Sequence, residues 1–194
     1  MSGFTKDIIA RTLIELLDEK PMSKVTVKDI VERCGVNRNT FYYHFHDIPE
    51  VVEYVLKRKW DEILNSPRES NSILECMEEM ADIVKANRRM MLNVYRSVGR
   101  EQVEQYLYKL LDPTLKEYAD RECKDITVQD ADKQFVVDFY KYALVGMTLE
   151  WIRRDMKTDP AAMTERLGTM IHGDLRRALC RLASNRGGTA RDED

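Results

Sequence analysis

Residues 26–45 read TVKDIVERCGVNRNTFYYHF, and the second half of this stretch concentrates side chains that can address a nucleic acid. Arg38 can pair with guanine or phosphate, Asn39 with adenine, and Thr40 with a base edge or a phosphate. Tyr42, Tyr43 and His44 carry polar tips on consecutive positions, which point around a helix in different directions. At least one of them must face outward, where a phosphate is a natural acceptor. This is recognition chemistry. For bond-making chemistry the chain has neither a G-x-S-x-G elbow nor a Walker-type loop, and it reads as a non-enzyme with no catalytic residue and no cofactor. His44 and His46, at i and i+2, diverge on a helix without a cysteine or carboxylate at ligand spacing, so no metal site is expected. His172, beside Ile171, reads as a solvent-facing or interface histidine.

These side chains need a scaffold, and the local sequence supplies one. Thr26 and Asp29 form a capping-box pattern at the start of a helix whose apolar face is Val27, Ile30, Val31 and Cys34. Gly35 can take the left-handed conformation that ends it. Asn37 then caps a short helix through about Tyr43, with Val36, Phe41 and Phe45 as its apolar contacts. The spacing is that of a helix-turn-helix, in which the first helix braces the second so that its N-terminal side chains enter the major groove. Taken alone, the same residues also fit a tight corner in an ordinary helical bundle.

Around this unit the sequence is helical throughout. The chain has 8 Gly and 5 Pro in 194 residues, apolar residues recur at spacings of three and four, and no alternating strand pattern stands out. A first helix spans about residues 5–19, capped by Thr5, with Ile9, Leu13, Leu16 and Leu17 as its stripe. Asp47, Pro49 and Glu50 open a fourth helix that runs to Leu64. The polar segment 65–71, with Pro67, marks the domain boundary. Ser72 and Glu75 cap a helix over residues 73–86, Asn87 caps the stretch holding Met90, Met91 and Tyr95, and Gly99 precedes a helix over about 100–111. Asp112-Pro113 reads as the start of another helix, which fades by Asp120 to Asp125.

Two long helices are expected to close the chain, one capped by Thr127 with Asp130 and running to about Asp155, the other from Asp159-Pro160 to about Ala183. The first is apolar on two faces: Phe135, Phe139, Tyr142, Gly146 and Leu149 share one, and Val136, Tyr140, Ala143, Met147 and Trp151 share the next. A helix of that kind is buried on two sides. The second carries the stripe Leu167, Ile171, Leu175, Ala178 and Leu182. The fold class is therefore all-α: a three-helix domain with the helix-turn-helix spacing (1–47), a connecting helix (48–64), a larger helical domain (65–183) and a disordered tail (184–194), with about nine helices in total.

Charge and cysteine usage bound the remaining possibilities. The 31 Lys and Arg against 34 Asp and Glu give a net charge of -3, which excludes a polybasic protein that coats nucleic acid. Residues 20–46 hold five basic against two acidic side chains, +3, leaving 26 basic and 32 acidic, -6, elsewhere. Cys34, Cys76, Cys123 and Cys180 are too scattered for a zinc site or a disulfide framework. No apolar run approaches a membrane span and no signal peptide opens the chain, so a cytoplasmic protein is expected.

The segment GVNRNTFYYHFHDIPEVV resembles the signature of the TetR family of bacterial transcriptional regulators: a glycine turn, a T-(F/L)-Y-x-(H/Y)-F core and a fourth helix with an acidic start. The resemblance covers about residues 5–55 well, and the length and helical second half also suit the family. It implies a sequence-specific DNA-binding regulator, most simply a ligand-responsive repressor on a palindromic operator. The alternative is a co-regulator or activator acting through its C-terminal domain with weak or no DNA binding of its own.

Carried over by position, the resemblance implies that Thr26 and Tyr42 bind phosphate, that Arg38, Asn39, Tyr43 and His44 touch bases or phosphates beside Thr40, and that Val36, Phe41 and Phe45 are core. Asn37 stands where serine is common and keeps the capping role. Asn39 stands where glycine is common, and Ile48 where many members carry a phosphate-binding lysine. The resemblance further implies a homodimer through the last two long helices, with Gly146 and Ala178 allowing close backbone approach. It also implies a small-molecule effector pocket, for which Met77, Met80, Met90, Met91, Tyr95, Tyr106, Met147 and Trp151 are candidate lining residues, although methionines and aromatics at helical spacing also simply fill cores.

Overall fold

The computed structural model describes residues 2–66, 73–171 and 174–187, and these are helical apart from their connections. In order they form α1 (Ser2–Glu19), a 3-10 turn (Met22–Lys24), α2 (Val27–Cys34), α3 (Arg38–His44), α4 (Ile48–Leu64), α5 (Ile73–Ala86), α6 (Arg88–Val98), α7 (Arg100–Glu122), α8 (Asp130–Arg153), α9 (Pro160–Ile171) and α10 (Asp174–Gly187). The expected cap at Thr5 is not used, because α1 already begins at Ser2 and Thr5 lies inside it.

The chain divides into two compact units. The first holds α1 to α4 together with residues 83–103, which carry the end of α5, α6 and the start of α7. Its boundary therefore differs from the sequence-based one at residues 47 and 65. The physical reason is that α6 packs on α1 and on the 3-10 turn, where the Met22 amide donates to Asn93 Oδ1 at 3.2 Å. α1 forms the centre of this unit, touching α2, α4 and α6 and burying Ile9, Leu13, Leu16 and Leu17. Ile30 of α2, Phe41 of α3 and Val51 of α4 are fully buried, each contributing about 1.5–3 kcal/mol of transfer free energy. Val36 and Cys34 are only half-buried.

The second unit holds the first part of α5 and the chain from Glu104 onward. α10 packs on α8, with Leu179, Val137 and Val145 fully buried. Here the helix boundaries depart most from expectation. α7 runs unbroken through Pro113. Asp112, expected to cap a new helix, instead binds Lys141 of α8 at 2.6 Å and Lys116 at 2.7 Å. Proline removes one backbone donor from α7, and the surrounding turns carry the helix past it. α8 starts at Asp130 with Gln129, not Thr127, in the cap position. Asn87 does not cap α6, because its side-chain amide donates back to the Ile83 carbonyl at 2.8 Å and so serves the end of α5.

α8 ends in two consecutive left-handed residues, Asp155 and Met156, and Met156 is buried. The Met156 amide donates to the Trp151 carbonyl at 2.8 Å, and the Trp151 indole N–H donates to the Thr158 carbonyl at 2.9 Å. These bonds hold a turn that costs non-glycine residues strain. The helix expected over 159–183 is helical on both sides of residues 172–173, which lie outside the described residues, as α9 and α10. The Ser72 cap, His172, most of the boundary segment and residues 188–194 also lie outside them, whereas residues 184–187, expected in the tail, belong to α10.

Candidate nucleic-acid interface

The α2–turn–α3 unit is assembled by caps at each of its helix starts. Thr26 Oγ1 accepts from the Asp29 amide at 3.2 Å, and the Asp29 carboxylate accepts from the Thr26 amide at 2.7 Å, which completes the capping box. Gly35 ends α2 in the left-handed region, φ 72, where a side chain would be strained. Asn37 Oδ1 accepts from the Thr40 amide at 2.7 Å and from the Thr40 hydroxyl at 3.0 Å. Asp47 repeats the device at α4, accepting from the Glu50 amide at 2.9 Å.

Ion pairs that no local pattern announces brace the unit from α1 and the residue that follows it. Arg33 grips Glu19 with two bonds of 2.7 and 2.8 Å, and Lys20 lies 2.9 Å from Asp29. The Lys20 ammonium, then the Thr26 hydroxyl and amide, hold the Asp29 carboxyl at about 2, well below its ordinary value. Tyr54 of α4 donates to Asp7 of α1 at 2.7 Å, and Arg58 pairs with the same carboxylate.

On this frame α3 buries Phe41 and turns its other side chains outward. Arg38, Asn37 and Asn39 are exposed, Tyr42 is 46% exposed and Tyr43 82% exposed, while Thr40 and His44 are half-buried. Arg38 and Tyr42 form an i, i+4 pair: the guanidinium donates to the Tyr42 hydroxyl at 3.3 Å and lies 5.6 Å from its ring centroid. Tyr43 packs edge-on against His44, ring centroids 4.9 Å apart. One short helix thus presents a guanidinium, a carboxamide and two phenols on a rigid support. Thr26, exposed at the α2 start, carries the cap, and its hydroxyl donates to the Asp29 carboxylate at 2.8 Å. Ile48, the first residue of α4, is half-buried and offers no donor.

The remaining sequence-predicted residues divide. On α8, Phe135 is 69%, Phe139 62% and Tyr142 55% exposed, and Gly146 and Met147 are exposed beside them. Leu149, assigned to the same face, is buried, since it sits at the edge of that face and turns into the unit's own core. Leu167 and Leu175 are likewise buried within one copy, whereas Ala178 and Leu182 are half-buried. The Ile171 side chain lies outside the described residues.

The effector candidates are divided between the two units. Met90, Met91 and Tyr95 are half-buried on α6 in the first; Tyr106 and Trp151 are buried in the second, and Met77 and Met80 are half-buried on its part of α5. Met147 is exposed on α8 and lines no interior in a single copy. Sequence reasoning missed the buried Lys141, which bonds Asp112 at 2.6 Å and Asp138 at 2.5 Å. Burial works against its charge, and the two carboxylates outweigh that and hold its pKa above the ordinary lysine value.

Comparison with known proteins gives one family for both halves. Residues 9–55 match "Bacterial regulatory proteins, tetR family", and residues 71–173 match a "Transcriptional regulator C-terminal region". The HTH-type dhaKLM operon transcriptional activator DhaS of Lactococcus lactis subsp. lactis (strain IL1403) is 27% identical over 64 residues, about a third of each chain (33% of this one and 34% of that one). The solved structure of a dihydroxyacetone kinase operon activator DhaS superimposes with a TM-score of 0.65 at 18% identity, covering 89% of this chain and 96% of that one. NalD, the secondary repressor of the MexAB-OprM multidrug efflux pump in Pseudomonas aeruginosa, gives 0.50 at 16% identity, over 92% and 96%. With both halves matched and a capped helix-turn-helix exposing its donors, the chain belongs to the TetR family and is a DNA-binding transcriptional regulator.

Proposed function

We propose that the chain acts as a homodimeric repressor that occupies a palindromic operator, one α3 per half-site, and releases it when a small effector binds. The observation that carries the reading is the outward face of α3, where Arg38, Asn39, Tyr42 and Tyr43 stand on a helix anchored by Phe41. Arg38 and Asn39 are the base readers; Thr26, Thr40, Tyr42, Tyr43 and His44 hold phosphates or base edges, and Asn37 sets the helix start. A single helix of this size contributes too little for specific affinity, whereas two on half-sites about one helical turn apart suffice.

The dimer is supported by α8, whose exposed face of Phe135, Phe139, Tyr142 and Met147 is larger than isolated apolar side chains would give. Gly146 lies in the middle of that face, and nothing within one copy would contact a side chain there. A mid-helix glycine costs about 1 kcal/mol against alanine, and a second backbone approaching closely is a reason to keep it. Ala178 and Leu182 of α10 extend the same interface. Tyr106 and Trp151, buried in the second unit, remain effector candidates there, and Met90, Met91 and Tyr95 remain separate candidates on α6 of the first. The protein works in the cytoplasm, consistent with the lack, among the described residues, of a helix long and apolar enough to cross a membrane.

The test is enrichment of duplexes from a random-sequence pool by the full chain. We expect a two-fold symmetric sequence, bound with a steep salt dependence from phosphate contacts. Absence of any enriched duplex refutes the reading. The likeness to DhaS, which is named an activator, favours a second reading in which the same dimer activates transcription. A reporter placed behind the enriched sequence decides it: the repressor reading requires expression to fall when the protein is supplied.

A further inference from the structure

Residues 83–100 read IVKANRRMMLNVYRSVGR and hold Lys85, Arg88, Arg89, Arg96 and Arg100 without a single acidic side chain. The segment belongs to the compact unit that carries α2 and α3, and it decides the charge of that unit. Residues 1–67 carry ten basic and eleven acidic side chains; residues 83–103 add five basic against Glu101 alone. The unit is therefore +3, where α1 to α4 without this segment are -1, and the rest of the chain is -6. α10 is also rich in arginine, but it lies in the acidic unit, and its Arg176 and Arg177 are held by Asp125 and Asp174.

The arginines of α6 are exposed, and their placement works against the helix. Arg88 and Arg89 stand in its first turn, which has no acidic residue, although the N-terminal end of a helix disfavours cations. Among the described residues Arg89 has no carboxylate partner that would offset this. Arg89, Asn93 and Arg96 fall at i, i+4 and i+7 on one stripe, with the two arginines about 10 Å apart along the axis. Asn93, between them, accepts the Met22 amide at 3.2 Å, so the stripe runs beside the 3-10 turn. Burial of Leu92 and Val94 fixes the other side of α6. Past Met22 the turn leads through exposed Lys24 to Thr26 at the start of α2. A basic ridge thus continues from α6 to the helix-turn-helix. Arginine suits a phosphate in particular, because its planar fork can give two parallel bonds to the oxygens.

Resting on the reading of the chain as a DNA-binding regulator, we propose that α6 is a second DNA-contacting element, whose Arg89 and Arg96 hold backbone phosphates outside the bases that α3 reads. These contacts carry no sequence preference. They add affinity through released counterions and fix the docking of the unit on the duplex.

The experiment titrates the full chain against its pool-enriched duplex and against a random duplex of equal length over a series of salt concentrations. Arg89→Ala combined with Arg96→Ala should weaken both in the same proportion, about tenfold or more near 0.1 M salt. The salt slope should flatten by about one per lost contact, about four for a dimer, and Arg89→Ala alone should give about half of that. Melting should match the wild type, since both side chains are exposed. Arg89→Lys combined with Arg96→Lys should keep the wild-type slope, because lysine still neutralises a phosphate. A wild-type slope in the double alanine variant overturns the proposal, and so does a loss confined to the enriched duplex. A fall to monomer mass in sedimentation velocity overturns it as well, by assigning the ridge to an acidic protein surface. If the wild type enriches no duplex, the regulator reading falls and this inference with it; if it enriches one that the double alanine variant binds unchanged, this inference alone falls.

Discussion

Both units of the chain expose aromatic side chains, but of different kinds. α3 turns out Tyr42 and Tyr43 among Arg38 and Asn39, so every exposed ring ends in a hydroxyl and stands beside a donor. α8 turns out Phe135 and Phe139 one turn apart, with Tyr142 and Met147 below them. A phenol can leave water for a phosphate without losing a hydrogen bond, whereas a phenylalanine ring gains only by leaving water for another apolar surface. The first face thus suits a charged, hydrated polymer and the second a protein. The local charge agrees, since the +3 of residues 20–46 sits against -6 elsewhere. The acidic bulk repels DNA and leaves one face to dock.

The most damaging break of this contrast is on α8. Changing Phe135 and Phe139 together to glutamate should leave folding stability within about 0.5 kcal/mol, because both are exposed. It should convert the protein to a monomer in sedimentation velocity and weaken binding to a two-half-site duplex by about a thousandfold, since the second half-site is no longer tethered. A dimer that survives the change moves the interface elsewhere.

On α3, Arg38→Ala should cost about 1–3 kcal/mol of DNA binding and relax the preference at one base pair, measured by titrating single-substituted duplexes. Tyr42→Phe removes one hydroxyl and should weaken binding by about 1 kcal/mol without regard to sequence. Equal effects of the two variants on specific and random DNA would assign Arg38 to phosphate. Thr26→Ala should lower stability by about 1 kcal/mol in urea unfolding through the lost cap, and should also flatten the salt slope.

The smallest effect is a pH dependence. Asp29, held at about 2 by Lys20 and Thr26, stabilises the fold when ionised. Its contribution is complete above its ordinary value of 3.8 and is lost as pH falls through about 2. Asp29→Asn should therefore shrink the stability difference between those limits and leave the neutral-pH charge of α3 untouched.

Local patterns carried much of the recognition half. Thr26 with Asp29, Asn37 and Asp47 each specify a helix start through bonds spanning three residues, Gly35 ends α2 by its left-handed backbone, and all four formed as read. Caps elsewhere misled because the same residue types had stronger partners. Asp112 was drawn to Lys141, 29 residues away, and Asn87 to the carbonyl behind it.

The sequence by itself determined the all-helical class, the capped α2–turn–α3 unit and the outward chemistry of α3, because those follow from side chains acting within a turn or two of helix. Which face of α8 meets the core was decided only by tertiary packing. Two apolar faces are equivalent in a periodic pattern, and in the fold Leu144, Val145 and Leu149 are buried while Phe135, Phe139 and Tyr142 stay in water. The grouping of α6 with the first unit was likewise decided by a contact between Met22 and Asn93 across 71 residues, a distance over which no periodicity speaks.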